Sequence, residues 1–297
     1  MLCATCHAPY RAFQDARARA FGLADADRNT ISLLNVRYQR WFGWDGAGDS
    51  LWAQSIRPIL EPREMGGSTA QVAALVRGDA GLACRYQKAF GAPLPAADEA
   101  VLAGVGKALA AYQETLVTGR APFDDFRDAL ARGDAQAIAR YPAAALRGLR
   151  IFIGRGNCAS CHSGPSFSNG EFRDSGADPG RQGGIRKLLA NPYNALGAYN
   201  DDSSGASATR TRQLMLERHG PGELRVPMLR NVAQTAPYMH DGSVTTLAEA
   251  ARHYPEAGKG KMPRLTDGEV EDLVAFLESL TETKSALPSP QAAAPCP

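Results

Sequence analysis

The chain has 297 residues, 44% of them hydrophobic and 22% charged, with a formal net charge of +2. That length suits two domains, each large enough to bury a core around a cofactor. The near-neutral balance argues against nucleic acid and against a polybasic membrane patch, and no apolar run reaches the length of a membrane span.

The first readable element is Cys3-Ala-Thr-Cys6-His7, and the same pattern returns as Cys158-Ala-Ser-Cys161-His162. In C-x-x-C-H the two thiols add across the haem vinyl groups and the adjacent His coordinates the iron. Zinc or a thioredoxin-like C-x-x-C is the rival, and a His directly after the second Cys argues against both. Two covalently bound haem c groups are therefore expected. Covalent haem is installed on the far side of the bacterial inner membrane, so a periplasmic location is expected too. Cys3 follows Met1 with no charged start and no apolar stretch, so the export leader is expected to have been removed or the start codon misplaced.

The two motifs divide the chain into haem-bearing halves, a cryptic duplication. Each is followed by a proline and an aromatic, Pro9 and Phe13, then Pro165 and Phe167. Apolar periodicity predicts helices at about 69–90, 96–118, 143–154, 245–254 and 266–280. Ser68 with Gln71, and Thr266 with Glu269, form the sequence pattern of capping boxes. Strand-like alternation is scarce, so the expected class is mainly α, two c-type cytochrome-like domains with their haems near a shared interface. The expected division is 1–142, 143–281 and a disordered tail at 282–297. The Gly/Asp/Ser/Asn-rich stretch from Asn169 to Gly222 shows little periodicity and is expected to wrap a functional site or to be partly disordered. Of the cysteines outside the motifs, Cys84 and Cys296 are expected to be unpaired, because Cys296 lies in an Ala/Pro-rich tail.

Function turns on what faces each iron opposite its histidine. An open face permits peroxide chemistry, and a Met, His or Tyr there makes an electron-transfer centre. The remaining histidines are His219, His240 and His253.

The run Leu229-Arg-Asn-Val-Ala-Gln-Thr-Ala-Pro-Tyr-Met-His-Asp-Gly242 resembles the C-terminal signature of bacterial di-haem cytochrome c peroxidases and MauG. Arg28-Asn29-Thr30, Trp44-Asp45-Gly46, then Gln54, Pro58 and Glu64 are similar to the same family's distal-site region. The resemblance runs from Cys3 to about Leu280. It implies that the His7 haem is the peroxide site, with Gln54 and Glu64 lining its distal pocket. A carboxylate there can carry a proton from one peroxide oxygen to the other. It also implies that Trp44 lies between the haems as a stepping stone for electrons, whereas Trp41 and Trp52 are read as core. Asn29, Thr235 and Pro237 match an inter-haem calcium site, the last two through main-chain carbonyls. The second axial position of the His162 haem falls on Tyr254, where the peroxidases carry Met and MauG carries Tyr. His253 and Met262 are its rivals, and Met239 is read as packing. His240 is expected to hold its loop beside the haems, and Arg230 either meets a haem propionate or forms a surface salt bridge.

The resemblance thus implies an enzyme that reduces hydrogen peroxide at the first haem and passes oxidising equivalents through Trp44 to the second. No histidine lies between His7 and Asn29, so the peroxide site is expected to be open at rest. That openness and Tyr254 place the chain nearer MauG and MbnH, which oxidise a partner protein, than nearer the simple peroxidases. The alternatives are a plain peroxidase fed by a small cytochrome or cupredoxin, and a di-haem electron carrier.

Overall fold

The computed structural model describes residues 1–175, 180–256 and 263–284 together with Cys296, without the side chains of 254–256. In chain order its helices are α1 (Cys3–Cys6), α2 (Leu51–Leu60), α3 (Thr69–Gly78), α4 (Ala80–Phe90), α5 (Asp98–Glu114), α6 (Pro122–Arg132), α7 (Ala135–Ala139), α8 (Ala143–Ile153), α9 (Arg181–Ala190), α10 (Ala206–Arg212), α11 (Leu247–Glu256) and α12 (Asp267–Glu278). Strands β1 (Phe172–Asp174) and β2 (Glu223–Arg225) pair antiparallel, with Phe172 opposite Arg225. The fold is mainly helical, as the sequence pattern predicts.

Ser68 and Thr266 both cap their helices through reciprocal bonds with Gln71 and Glu269. The stretch expected as one helix over 69–90 is two helices. Asp79 ends α3, and its carboxylate accepts from the Leu82 N–H at 2.8 Å to start α4. A short acidic side chain satisfies the orphan donors of a helix start better than it serves a helix interior. Among its described residues the region from 169 to 222 carries β1, α9 and α10. These elements are too short and too glycine-rich to show a period.

One expectation for the C-terminal tail is corrected. Cys84 and Cys296 form a disulfide across a sequence separation of 212, so neither is unpaired. The tail is also tied down where it is described: Glu282 accepts from the Gly119 N–H at 2.6 Å, and its own N–H donates to Asn231 Oδ1 at 2.8 Å. Pairing depends on where two chain segments meet in space, which the composition around Cys296 does not encode.

The duplication extends well beyond the haem motifs. Asn35 and Asn231 share a left-handed backbone, φ 62° and 59°, each opening a short 3-10 turn. Phe42 bridges Gly48 as Tyr238 bridges Val244. Gly43 and Met239 follow at φ 79° and 72°, then Gly46 and Gly242 at 67° and 65°. Helix α2 begins at Leu51 as α11 begins at Leu247. Continuing residue for residue, Pro58 of α2 occupies the position that Tyr254 occupies in α11.

Two of the hydrophobic cores lie on the two sides of the fold and draw residues from both halves of the chain. Phe152, Phe167 and Phe276 pack edge to face, with Phe123 joining from α6, while α8 and α12 lie against one another. On the other side Ile56 of α2 and Leu102 of α5 are buried together with Tyr193, so the 169–222 region lies on the N-terminal helices. Trp52 belongs to this core, with Lys107 above its ring.

Candidate active site

Both haem-ligating histidines are held in the same way. The Nδ1–H of His7 donates to the Phe13 carbonyl at 3.1 Å, and that of His162 donates to the Phe167 carbonyl at 3.0 Å. A carbonyl only accepts, so Nδ1 carries the proton and the Nε2 lone pair is left for a metal. Burial pushes both imidazoles below their ordinary pKa, which keeps them neutral and able to coordinate. The carbonyls are aimed by strained backbone: Phe13 and Phe167 have φ of 59° and 52°, rare for aromatic residues, and both rings are buried. Thus the aromatic after each motif anchors the ring of the histidine before it.

Cys3, Cys6, Cys158 and Cys161 are free thiols beside those histidines. Burial pushes Cys158 up to about 11, and burial followed by Asp15 and Glu64 pushes Cys6 up. Among the described residues no cluster of three His, Cys, Asp or Glu side chains forms a metal site. The residues present fit a haem in each half, whose iron the histidine would take and whose porphyrin the two cysteines would hold through thioether bonds.

Glu64 is brought to the His7 motif by the loop before Arg28. The Leu23 N–H donates to the Glu64 carbonyl at 3.0 Å, and the Cys6 thiol lies 3.8 Å from the Phe21 carbonyl. Gly22 makes the approach possible, since a Cβ there would lie 2.4 Å from the Glu64 carbonyl oxygen. Burial, followed by Glu61, pushes the Glu64 carboxyl above its ordinary pKa, while Arg57 and Arg63 oppose the shift. Burial therefore favours the protonated form of this carboxyl more than water would.

Gln54 lies on the same helix as Pro58, one turn earlier, and accepts from Arg57 Nη1 at 3.1 Å. Trp44 sits at the seam of the two halves. Its indole N–H donates to the Asn29 carbonyl at 2.9 Å, and the Asn29 N–H donates onward to the His240 carbonyl at 2.8 Å. His240 does hold its loop, but through its carbonyl. The Asn29 amide donates to the Arg17 and Ala18 carbonyls and accepts from Gln14 Nε2, so its Oδ1 is fixed as the acceptor. Asn29 is thereby tied to the segment that carries His240.

Arg230 is half-buried and chelates Asp124 through both terminal nitrogens, at 2.8 and 2.9 Å, with Nε on the Pro165 carbonyl. Of its two readings the ion pair is the one built here, and it lies inside the fold instead of on its surface. Burial alone would raise the Asp124 carboxyl, but the Arg230 bonds and the Ala121 N–H override it and hold it below the ordinary range. Arg230→Met is expected to cost about 3–5 kcal/mol at neutral pH by stranding a buried carboxylate. A depressed carboxyl contributes stability above its unfolded pKa and loses it as pH falls through the folded one. The gap between variant and wild type in thermal unfolding should therefore close below about pH 4.

Two further residues carry no sequence signal. Arg181 is fully buried between Trp41 and Phe172, its guanidinium 4.5 and 4.0 Å from the ring centroids. Its Nη1 donates to the Asp45 and Gly46 carbonyls at 3.2 and 2.6 Å. Arg225 is also buried, with Nε on the Gly43 carbonyl and its N–H on the Trp44 carbonyl. Four consecutive carbonyls of the Trp44 turn are thus held by two arginines, Arg181 from the poorly patterned region and Arg225 from β2 just beyond it. Burial lowers both to about 10. Trp41 is accordingly one wall of a cation–π stack as well as core. Among the described residues no carboxylate pairs with Arg225, which leaves a buried positive charge at the seam, compatible with a haem carboxylate.

Tyr254 lies within α11, but its side chain is outside the described residues, as is Met262. His253, also on α11, is exposed.

Comparison with known proteins agrees with this arrangement. A profile of the family described as di-haem cytochrome c peroxidase matches residues 1–133. The methylamine utilization protein MauG of Methylorubrum extorquens is 36% identical over 300 residues, covering 97% of this chain and 75% of that protein. The cytochrome-c peroxidase IdrP1 of Denitromonas iodatirespirans is 29% identical, covering 95% of this chain and 76% of that protein. Among solved structures, the diheme peroxidase BthA of Burkholderia thailandensis superposes with a TM-score of 0.71 at 25% identity, covering 99% of this chain and 86% of that one. With its paired haem motifs, duplicated half-sites and these relatives, the chain belongs to the di-haem cytochrome c peroxidase and MauG family and is a di-haem peroxidase-type oxidoreductase.

Proposed function

We propose that this chain is a MauG-like enzyme that reduces hydrogen peroxide beside His7 and uses the oxidising equivalents on a partner protein. The observation that carries this reading is the repeat. Where α11 places Tyr254, whose phenolate can bind iron, α2 places Pro58, which has no ligating atom. On this reading one half-site would be open to a small molecule, and the other would be closed by the Tyr254 phenolate, a hard anionic donor that favours oxidised iron.

The haems, attached as haem c through Cys3 and Cys6 and through Cys158 and Cys161, supply the redox chemistry when bound. The chain supplies the rest. His7 and His162 present neutral Nε2 lone pairs. The Glu64 carboxylate takes a proton from the near oxygen of peroxide and returns it to the departing oxygen, and Gln54 orients the pair. Trp44, pinned at the seam, bridges the halves, and Arg225 offers a counter-charge to a haem carboxylate. A calcium ion is assigned to Asn29 Oδ1 with the Thr235 and Pro237 carbonyls, water completing the shell. A periplasmic location accords with covalent haem and with the Cys84–Cys296 bond. No helix among the described residues is long and apolar enough to cross a membrane.

A plain peroxidase drawing electrons from a small cytochrome or cupredoxin is the second reading, favoured by the likeness to IdrP1. One experiment separates the two. Near-infrared and EPR spectra of the ferric holoprotein are recorded before and after one equivalent of peroxide. A near-infrared band with loss of both ferric signals supports the MauG-like reading. Oxidation confined to one haem supports the plain peroxidase, and two low-spin haems that peroxide leaves unchanged overturn both.

A further inference from the structure

The proposed proton-transfer pair has a third neighbour that its chemistry does not yet use. Arg57 precedes Pro58 on α2 and is half-buried. Its Nη1–H donates to Gln54 Oε1 at 3.1 Å, one helical turn away. The same nitrogen approaches Gly43 of the Trp44 turn, where a Cβ would stand 3.3 Å from it and 3.7 Å from Gln54 Oε1. Gly48 closes the other side, since a Cβ there would lie 2.9 Å from Gln54 Oε1. The Gln54 oxygen is therefore fixed between a guanidinium and two glycines. An amide whose oxygen is held in this way has only its N–H groups left to offer a ligand.

Arg57 also lies within electrostatic reach of Glu64, where its positive charge counters the effect of burial on the carboxyl. A cation that bonds one member of a pair and attracts the other is placed to act on both.

We propose that Arg57 is a positioning residue of the peroxide pocket. Its guanidinium grips Gln54 by the carbonyl oxygen, turns the amide N–H groups toward a small anionic or oxygen ligand at the His7 haem, and lends fixed positive charge beside Glu64. The inference rests on the reading that Gln54 lines that pocket, and the test separates the two.

Fluoride is the probe, a small anion that binds ferric haem and depends on nearby hydrogen-bond donors. Ferric holoprotein, exported with its maturation system, is titrated with fluoride and followed by absorbance. Arg57→Met should weaken fluoride about tenfold, the worth of one charge-assisted hydrogen bond. Gln54→Leu should cause a similar loss, and the double variant should be little worse than either single one, because the residues act in series. Affinity for neutral imidazole should change by less than about twofold in Arg57→Met, a contrast that mere distortion of the pocket would not give.

If Gln54→Leu binds fluoride as wild type does, the reading of Gln54 fails. If Gln54→Leu is weakened but Arg57→Met is not, the role of Arg57 alone is overturned. Additive losses, or equal losses for fluoride and imidazole, overturn it as well. Should Arg57→Met fail to take up haem, Arg57→Gln keeps a donor without the charge. A loss of about threefold or more is expected there from the missing charge, and unchanged affinity counts against the proposal.

Discussion

Glu64→Gln is expected to slow the reaction with hydrogen peroxide by on the order of 10²–10⁴-fold, the usual worth of a positioned proton carrier. Glutamine matches the shape of the carboxylate but cannot take a proton from the near oxygen of peroxide and return it to the far one. The loss should appear in stopped-flow rates of peroxide reaction, while the resting spectra of both haems stay as they are. The pH profile is the sharper signature. Burial, then Glu61, raises the Glu64 carboxyl above its ordinary value. A group that must be ionised to accept a proton then fails as pH falls through that raised pKa. The wild-type rate should drop on acidification along a limb lying above about pH 4.5. In Glu64→Gln the limb should vanish. A variant that keeps both rate and limb would return Glu64 to the role of an ordinary loop charge.

The second large effect is expected at Tyr254. Tyr254→Met replaces an anionic oxygen donor with a neutral thioether, which prefers the reduced metal. The midpoint potential of the His162 haem should rise by a few tenths of a volt, a fraction of the roughly 0.8 V that axial ligands span. A haem that is harder to oxidise no longer shares the oxidising equivalents generated on the other side. The near-infrared band that follows peroxide addition to wild type should therefore be absent, while the rate of the first peroxide step changes little. An unchanged potential would mean that Tyr254 is not the ligand. A raised potential with the band intact would separate ligand identity from charge sharing, and would weaken the MauG-like reading alone.

The sequence by itself determined whatever is encoded in short range. C-x-x-C-H is a local chemical specification, legible because two thiols and an imidazole must meet one haem within five residues. The capping boxes at Ser68 and Thr266 are three-residue geometry, and both formed. The helices at 98–114, 143–153 and 267–278 announced themselves through apolar period. Even the aromatic after each motif was visible, although only the structure gave it a task, the carbonyl of a left-handed phenylalanine holding the histidine ring.

Tertiary structure decided what depends on distant segments meeting. Cys84 found Cys296 because the chain end returns to α4, and Arg230 found Asp124 because α6 packs beside the C-terminal signature. Arg181 in the glycine-rich stretch and Arg225 just beyond it look like surface charge, yet they are buried against the Trp44 turn, where main-chain carbonyls receive them. Burying a cation is unfavourable unless donors and acceptors converge on it. That convergence is assembled from both halves of the fold, and no window of the sequence contains it.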